Sequence, residues 1–282
     1  MSDLITKIHS CKEEELNKII DLELEKNIQN SKKQEFLGFG ENMSKLTIHN
    51  GFINPATKIR YSNGTMNSYS MKTTDYFYEF AKYIKNNKIN TKGQIVKTVE
   101  NFINCYFGIN KLEGDFRDNY FDQFTNTTTT DEEYFNVIDS FEIGNLKGKG
   151  IAMCTEKAAV AQNLLSLFGF ETYFCMGCVS YDNKEEPHCF NIAKAKESYI
   201  LLDYSMPVSI FKNNIAIDYA PFQGEINNTE IQEFLNGNFD KLYNQYEYIV
   251  NEEVRKKIII PNDERKYIVG SFSFDKSNNK KI

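Results

Sequence analysis

The stretch that most constrains the fold is GKGIAMCTEKAAVAQNLLSLFGF, residues 148–170. Gly148 and Gly150 open it as a loop. Ala158, Ala161, Leu164, Leu165 and Phe168 then recur at helical spacing, and Gly169 stands where such a helix would stop. The pattern predicts a glycine loop running into a helix, with Cys154 at the helix start. Three strand-like runs follow: ETYFCMGCVSY, HCFNIAKA and SYILLDYS. NKEEP separates the first two and KES the next, and both connections suit antiparallel neighbours.

The flanking segments are less specific. Residues 11–32 carry Leu16, Ile19, Ile20 and Leu24 at helical spacing in a charged background, which predicts an amphipathic helix. Residues 38–73 are rich in Gly, Asn, Ser and Thr and read as hairpins and loops, with Asn63-Gly64 the clearest tight turn. Two helices are predicted between 74 and 107, the first behind a threonine cap. Cys105 falls on the apolar face of the second, as a small buried hydrophobe. DQFTNTTTTDEEYF reads as a surface loop. Beyond 205 come the apolar run SIFKNNIAIDYA, acidic helix-like segments to about 258, and a final strand in KYIVGSFSF.

Charge and hydropathy exclude some classes of partner. A formal net charge of -6, with Lys and Glu mixed along the chain, leaves no basic patch for phosphates and sets nucleic acid aside. The first residues, MSDLITKIHSCKEEE, lack the apolar run of a signal peptide. No stretch approaches the roughly 18 apolar residues of a membrane span, so no membrane partner is expected. The six cysteines, Cys11, Cys105, Cys154, Cys175, Cys178 and Cys189, read as reduced thiols of a cytoplasmic chain.

The chemistry rests on one thiol and its neighbours in sequence. At a helix start the free amides favour a thiolate, and the Cys154 backbone N–H can serve an oxyanion. The glycines before it let a substrate chain approach closely. Such a nucleophile needs a base that also protonates the leaving group, and the chain has three histidines. His9 sits in the charged N-terminal segment and His49 in a loop-rich region, where structural roles fit better. His188 opens the predicted strand HCFNIAKA, 34 residues after Cys154. The base in turn needs an acceptor that fixes its tautomer. Asp203 ends SYILLDYS, 15 residues after His188, and an acid behind Ile200, Leu201 and Leu202 is costly to bury without a partner.

Glycine then Cys154, a small-residue helix ending in LLSLFGF, His188 with an aromatic two places on, and the Leu-Asp of Leu202-Asp203 together resemble the transglutaminase-like superfamily. The resemblance covers about 55 of the 282 residues. It implies an α+β fold with a transglutaminase-like (papain-like) core, in which the nucleophile helix packs on an antiparallel sheet carrying the His and the Asp. Extra N- and C-terminal elements would surround that core. Residues 1–73 would form an N-terminal helix with a loop or hairpin extension, 74–205 the catalytic core, and 206–282 elements completing or covering it. By the same resemblance Cys154 attacks a carbonyl, His188 shuttles the proton, Asp203 orients His188, and a thioester acyl-enzyme forms on a peptide, protein or other amide substrate. A protease or amide hydrolase is the first expectation, and acyl transfer or deamidation the alternative.

Three departures accompany the resemblance. Phe190 stands where the family often has Trp, and the chain has no Trp. Asn145 and Gln94 are weak candidates for the second oxyanion donor. No calcium-ligand pattern is present, and no cofactor or metal is expected. Two other readings use the same residues. Cys175, Cys178, His188 and Cys189 have zinc-like spacing, but neighbours one or three apart on a strand point to opposite faces. A catalytically inactive member that binds peptides as a scaffold is the second.

Overall fold

The structure is a computed structural model. It describes residues 3–34, 36–38, 47–61, 67–108, 110–112, 120, 141–181, 184–195, 198–204, 208–212, 215–219, 222–226, 258–261, 272–275 and 280–281. Five α-helices lie among them: α1 Asp3–Ser10, α2 Glu13–Asn30, α3 Asp75–Asn86, α4 Lys92–Phe107 and α5 Cys154–Leu167. The N-terminal strands are β1 Phe36–Gly38, β2 Thr47–Asn50, β3 Lys58–Tyr61, β4 Asn67–Ser70 and β5 Asn110–Leu112. The central ones are β6 Thr172–Tyr181, β7 Lys184–Ala195 and β8 Ser198–Asp203. Six more follow: β9 Val208–Lys212, β10 Ile215–Tyr219, β11 Phe222–Ile226, β12 Ile258–Pro261, β13 Phe272–Asp275 and β14 Lys280–Lys281. The architecture is α+β.

The main sheet has seven strands in the order β14-β13-β11-β8-β7-β6-β2. From β2 to β11 every pairing is antiparallel. The three central strands follow one another in sequence because their connections are only two residues long. Here the structure differs from the sequence reading. NKEEP is not a loop: Lys184–Pro187 already pair with β6, Tyr181 opposite Lys184 and Cys178 opposite Pro187. His188 is therefore the fifth residue of β7, opposite Gly177, and does not open the strand.

Helix α5 lies on one face of this sheet, against β6 and β7, and α4 and α2 pack on its other sides. The sequence reading gave α5 one buried face, whereas nearly every one of its residues is buried, Glu156, Lys157, Gln162 and Asn163 included. Its alanines let α4 and the sheet approach closely. One buried cluster runs from Leu4, Leu16 and Leu24 through Phe77, Phe80 and Ile103 to Leu164, Phe174 and Leu202. The helix expected over 11–32 is present as α2, with Leu16, Ile20 and Leu24 inward. The short α1 was not expected; eight residues carry too little periodicity to declare a helix. Cys105 is a correction: it is exposed, while Phe102, Ile103, Tyr106 and Phe107 fill the buried side of α4. Thr74 precedes α3 but its side chain makes no cap bond. Thr91 caps α4 instead, accepting from the N–H of Gln94 at 3.2 Å. Asn63-Gly64 and the acidic run to 257 lie outside the described residues. None of the described helices is long and apolar enough to cross a membrane.

The loop before α5 is stitched to the end of α4. The N–H groups of Gly148 and Gly150 donate to the carbonyls of Tyr106 and Phe107, each at 2.8 Å. These are carbonyls that α4 cannot satisfy within itself. Gly108, with φ 81° and ψ 161°, occupies a region open to glycine alone. A Cβ there would lie 3.2 Å from the backbone nitrogen of Gly150. Gly148 also has positive φ but faces open space. Gly108→Ala is expected to lower unfolding free energy by about 2–3 kcal/mol and Gly148→Ala by about 1 kcal/mol. Denaturant titration of the two variants checks the ranking.

Candidate functional site

Cys154 is the first residue of α5, with Met153 as its N-cap. Met153 offers no cap bond of its own, and Glu156 supplies the cap, its Oε2 accepting the Met153 N–H at 2.8 Å. Cys154 is 7% exposed, at the end of the helix that the glycine loop fixes. The N–H groups of Gly148 and Gly150 dock this loop on α4.

The side chains opposite Cys154 come from β7. The Oγ1 of Thr155 lies 3.9 Å from the Cys154 Sγ and 3.4 Å from the Cys189 Sγ. Cys189 is fully buried. Burial pushes its thiol well above the usual range, and the neighbouring Cys154 pushes it further. Two positions on, the Asn191 amide donates to the Gln162 Oε1 at 3.0 Å. Cys189 and Asn191 are thus the β7 positions that meet α5.

Backbone register places the other two sequence candidates. Asn191 pairs with Leu202, so Asp203 stands one step further, opposite Phe190 and two positions along β7 from His188. Positions 188 and 203 share one parity on neighbouring antiparallel strands, because the connection between β7 and β8 is two residues long. That parity is the alternate of Cys189 and Asn191. The register therefore brings the positions of His188 and Asp203 together, and brings Cys154 to Cys189. The side chains of His188 and Asp203 lie outside the described residues.

The remaining candidates take structural places. His9 Nε2 contacts the Ile89 carbonyl at 2.8 Å. His49, buried on β2, holds Gln34 Oε1 at 2.8 Å and the Phe52 carbonyl at 3.4 Å. Gln94 is spent on the α4 cap, its Oε1 accepting the N–H of Thr91 at 3.1 Å. Asn145 is exposed in the 3-10 turn Ile143–Leu146. Among the described residues no group of three or more His, Cys, Asp or Glu could hold a metal ion. Cys175, opposite Phe190, lies on the other parity from Cys189, which separates two of the zinc-like set.

Sequence reasoning missed the polar supports of α5. Asn163 Oδ1 accepts the Ile53 N–H at 2.7 Å, and its amide donates to the Ile53 carbonyl at 3.2 Å. Gln162 Nε2 donates to the carbonyls of Gly51 and Thr172 at 2.7 and 2.9 Å. Lys157 Nζ donates to Asn104 Oδ1 on α4 at 3.4 Å. Tyr204, one step past Asp203, is fully buried with no hydrogen-bond partner for its hydroxyl among the described residues. The signal available was two polar pairs, Glu156-Lys157 and Gln162-Asn163, inside an otherwise largely apolar helix.

No protein-family model, no curated protein and no solved structure matches the chain.

Two outcomes follow from these contacts. Asn163→Leu strands two buried backbone groups of Ile53 and is expected to cost about 2–4 kcal/mol in denaturant unfolding. Burial lowers the pKa of His49 from its ordinary 6.5, so the unfolded chain takes up the proton first. Stability from this residue is present above about pH 6.5 and is lost as pH falls below it. Unfolding free energy measured from pH 7.5 to 5.5 should fall less steeply in His49→Gln than in the native chain.

Proposed function

We propose that the chain is a transglutaminase-like cysteine enzyme that acts on amide bonds through a thioester on Cys154, with His188 as the base and Asp203 as the group that orients it. The supporting observation is the placement of Cys154 at the head of a buried helix laid on an antiparallel sheet, with positions 188 and 203 two register steps apart on neighbouring strands of that sheet. The helix start supplies amides for a thiolate and for an oxyanion. An Asp beside a His fixes its tautomer.

The reading asks for one local departure from the described register. For His188 to serve Cys154, β7 must shift by one position near Pro187, so that His188 replaces Cys189 opposite α5. Pro187 lacks an N–H, and proline within a sheet is found at bulges and edges. The described pairing of β8 with β7 begins only at Asn191, so at Pro187 the backbone is paired with β6 alone. Residues 184–190 share this one-sided pairing, and Pro187 is the one among them without an N–H to lose.

In this mechanism the Cys154 sulfur adds to the carbonyl, His188 passes the thiol proton to the departing amine, and water or a second amine releases the acyl group. Hydrolysis is favoured over cross-linking, because nothing in the sequence supplies a calcium switch for an acyl acceptor. Incubation with a glutamine-containing peptide, with and without a primary amine, separates backbone cleavage, deamidation and transfer by product mass. Cys154→Ala is expected to abolish turnover, and His188→Ala to slow it by about 10²–10⁴-fold. Turnover in Cys154→Ala equal to that of the native chain would exclude the thioester.

A further inference from the structure

The approach of Cys154 to Cys189 through the Thr155 hydroxyl is unused by the chemistry above. Both side chains touch the Thr155 hydroxyl, at 3.9 and 3.4 Å, from opposite sides of the interface between α5 and β7. Burial and, after it, the neighbouring Cys154 raise the pKa of the Cys189 thiol. Cys175, equally buried on β6, stands on the alternate parity and points its thiol to the Tyr173 carbonyl at 3.8 Å. Cys105 and Cys11 lie on α4 and just after α1, away from this interface. The Thr155 hydroxyl, which both sulfurs contact, singles out Cys189 as the partner for Cys154.

We propose that Cys154 and Cys189 form a redox-active dithiol, in which a peroxide oxidises Cys154 and Cys189 resolves the product to a disulfide that blocks the nucleophile. In the first step the Cys154 thiolate attacks one peroxide oxygen. The S–O bond forms, the O–O bond breaks, and hydroxide leaves to become water, giving a sulfenic acid. In the second the Cys189 sulfur attacks the Cys154 sulfur. The S–S bond forms, the S–O bond breaks, and the Cys189 proton leaves with the departing hydroxide as water. Each sulfur is oxidised by one electron and the peroxide is reduced by two. A small dithiol restores both thiols by two exchanges.

The pair suits this role physically. Cys154 has the slight exposure a small oxidant needs, while Cys189 is sealed from solvent and meets oxidant only through its partner. A protonated Cys189 beside the sulfenic acid carries the proton that the leaving hydroxide takes. The disulfide also ties β7 in the register that turns position 189, and not 188, toward α5.

The test treats the full-length chain with hydrogen peroxide, blocks remaining thiols by alkylation, and maps peptides by mass without reduction. The expected result is a Cys154–Cys189 cross-link that dithiothreitol reverses. In Cys189→Ser the sulfenic acid has no resolving thiol, so Cys154 should advance to sulfinic and sulfonic acids that dithiothreitol does not reverse. Cys189→Ala serves as a second variant if the serine fails to fold, and the native map needs neither. Irreversible oxidation of Cys154 at the same rate in native and variant chains would overturn the proposal, as would a cross-link to any other cysteine. The map is read without substrate: peptide turnover with no cross-link defeats this proposal alone, and a cross-link without turnover defeats only the amide chemistry.

Discussion

The structure depends on the docking of the 148–150 loop against the end of α4. Gly148 and Gly150 close the last carbonyls of that helix, and Gly108 allows the two backbones to touch. Any side chain at Gly108 would force them apart. This contact sets the direction in which the chain enters α5, and with it the position of Cys154. At the start of α5 itself, Glu156 supplies the cap by accepting the Met153 N–H. The loop docking on α4 and the Glu156 bond to the Met153 N–H together set where the candidate nucleophile stands.

A helix buried on every side creates a second requirement. Polar groups inside α5 must find partners, and Gln162 and Asn163 find them in backbone atoms of Gly51, Ile53 and Thr172. These bonds fasten the chain between β2 and β3 to the helix and place the edge strand β2 beside β6. The polar side chains that look unfavourable within an apolar run are thus what joins the N-terminal segment to the sheet. Asn191, bonded to Gln162, extends the same network onto β7 beside Cys189.

The helix α5 and the strands β6 to β8 were legible in the sequence, because Gly169 stops the helix and the connections are too short for anything but antiparallel neighbours. Legibility ended at parity. In HCFNIA the large residues Phe190 and Ile192 suggest the core face, and the small Cys189, Asn191 and Ala193 the outer one. Both faces are buried, and the small residues are the ones that admit α5. Lys184–Pro187 looked like a loop because charge and proline are loop signals, yet these residues pair with β6 beyond the reach of β8. Cys105 was misread because it stands three residues after the buried Phe102, at the edge of the buried side of α4. The shared parity of positions 188 and 203 depends on the two-residue connection between β7 and β8, where the sequence suggested the three residues KES.

The central claim is that Cys154 is a nucleophile activated by His188. Its most direct test is the rate of alkylation of each cysteine by iodoacetamide across pH, read by peptide mass, in the native chain and in His188→Ala. The account predicts rapid, pH-dependent labelling of Cys154 that is lost when His188 is removed, with Cys175 and Cys189 slow in both. Uniformly slow labelling of all the cysteines, or fast labelling of Cys154 unchanged in His188→Ala, would contradict it.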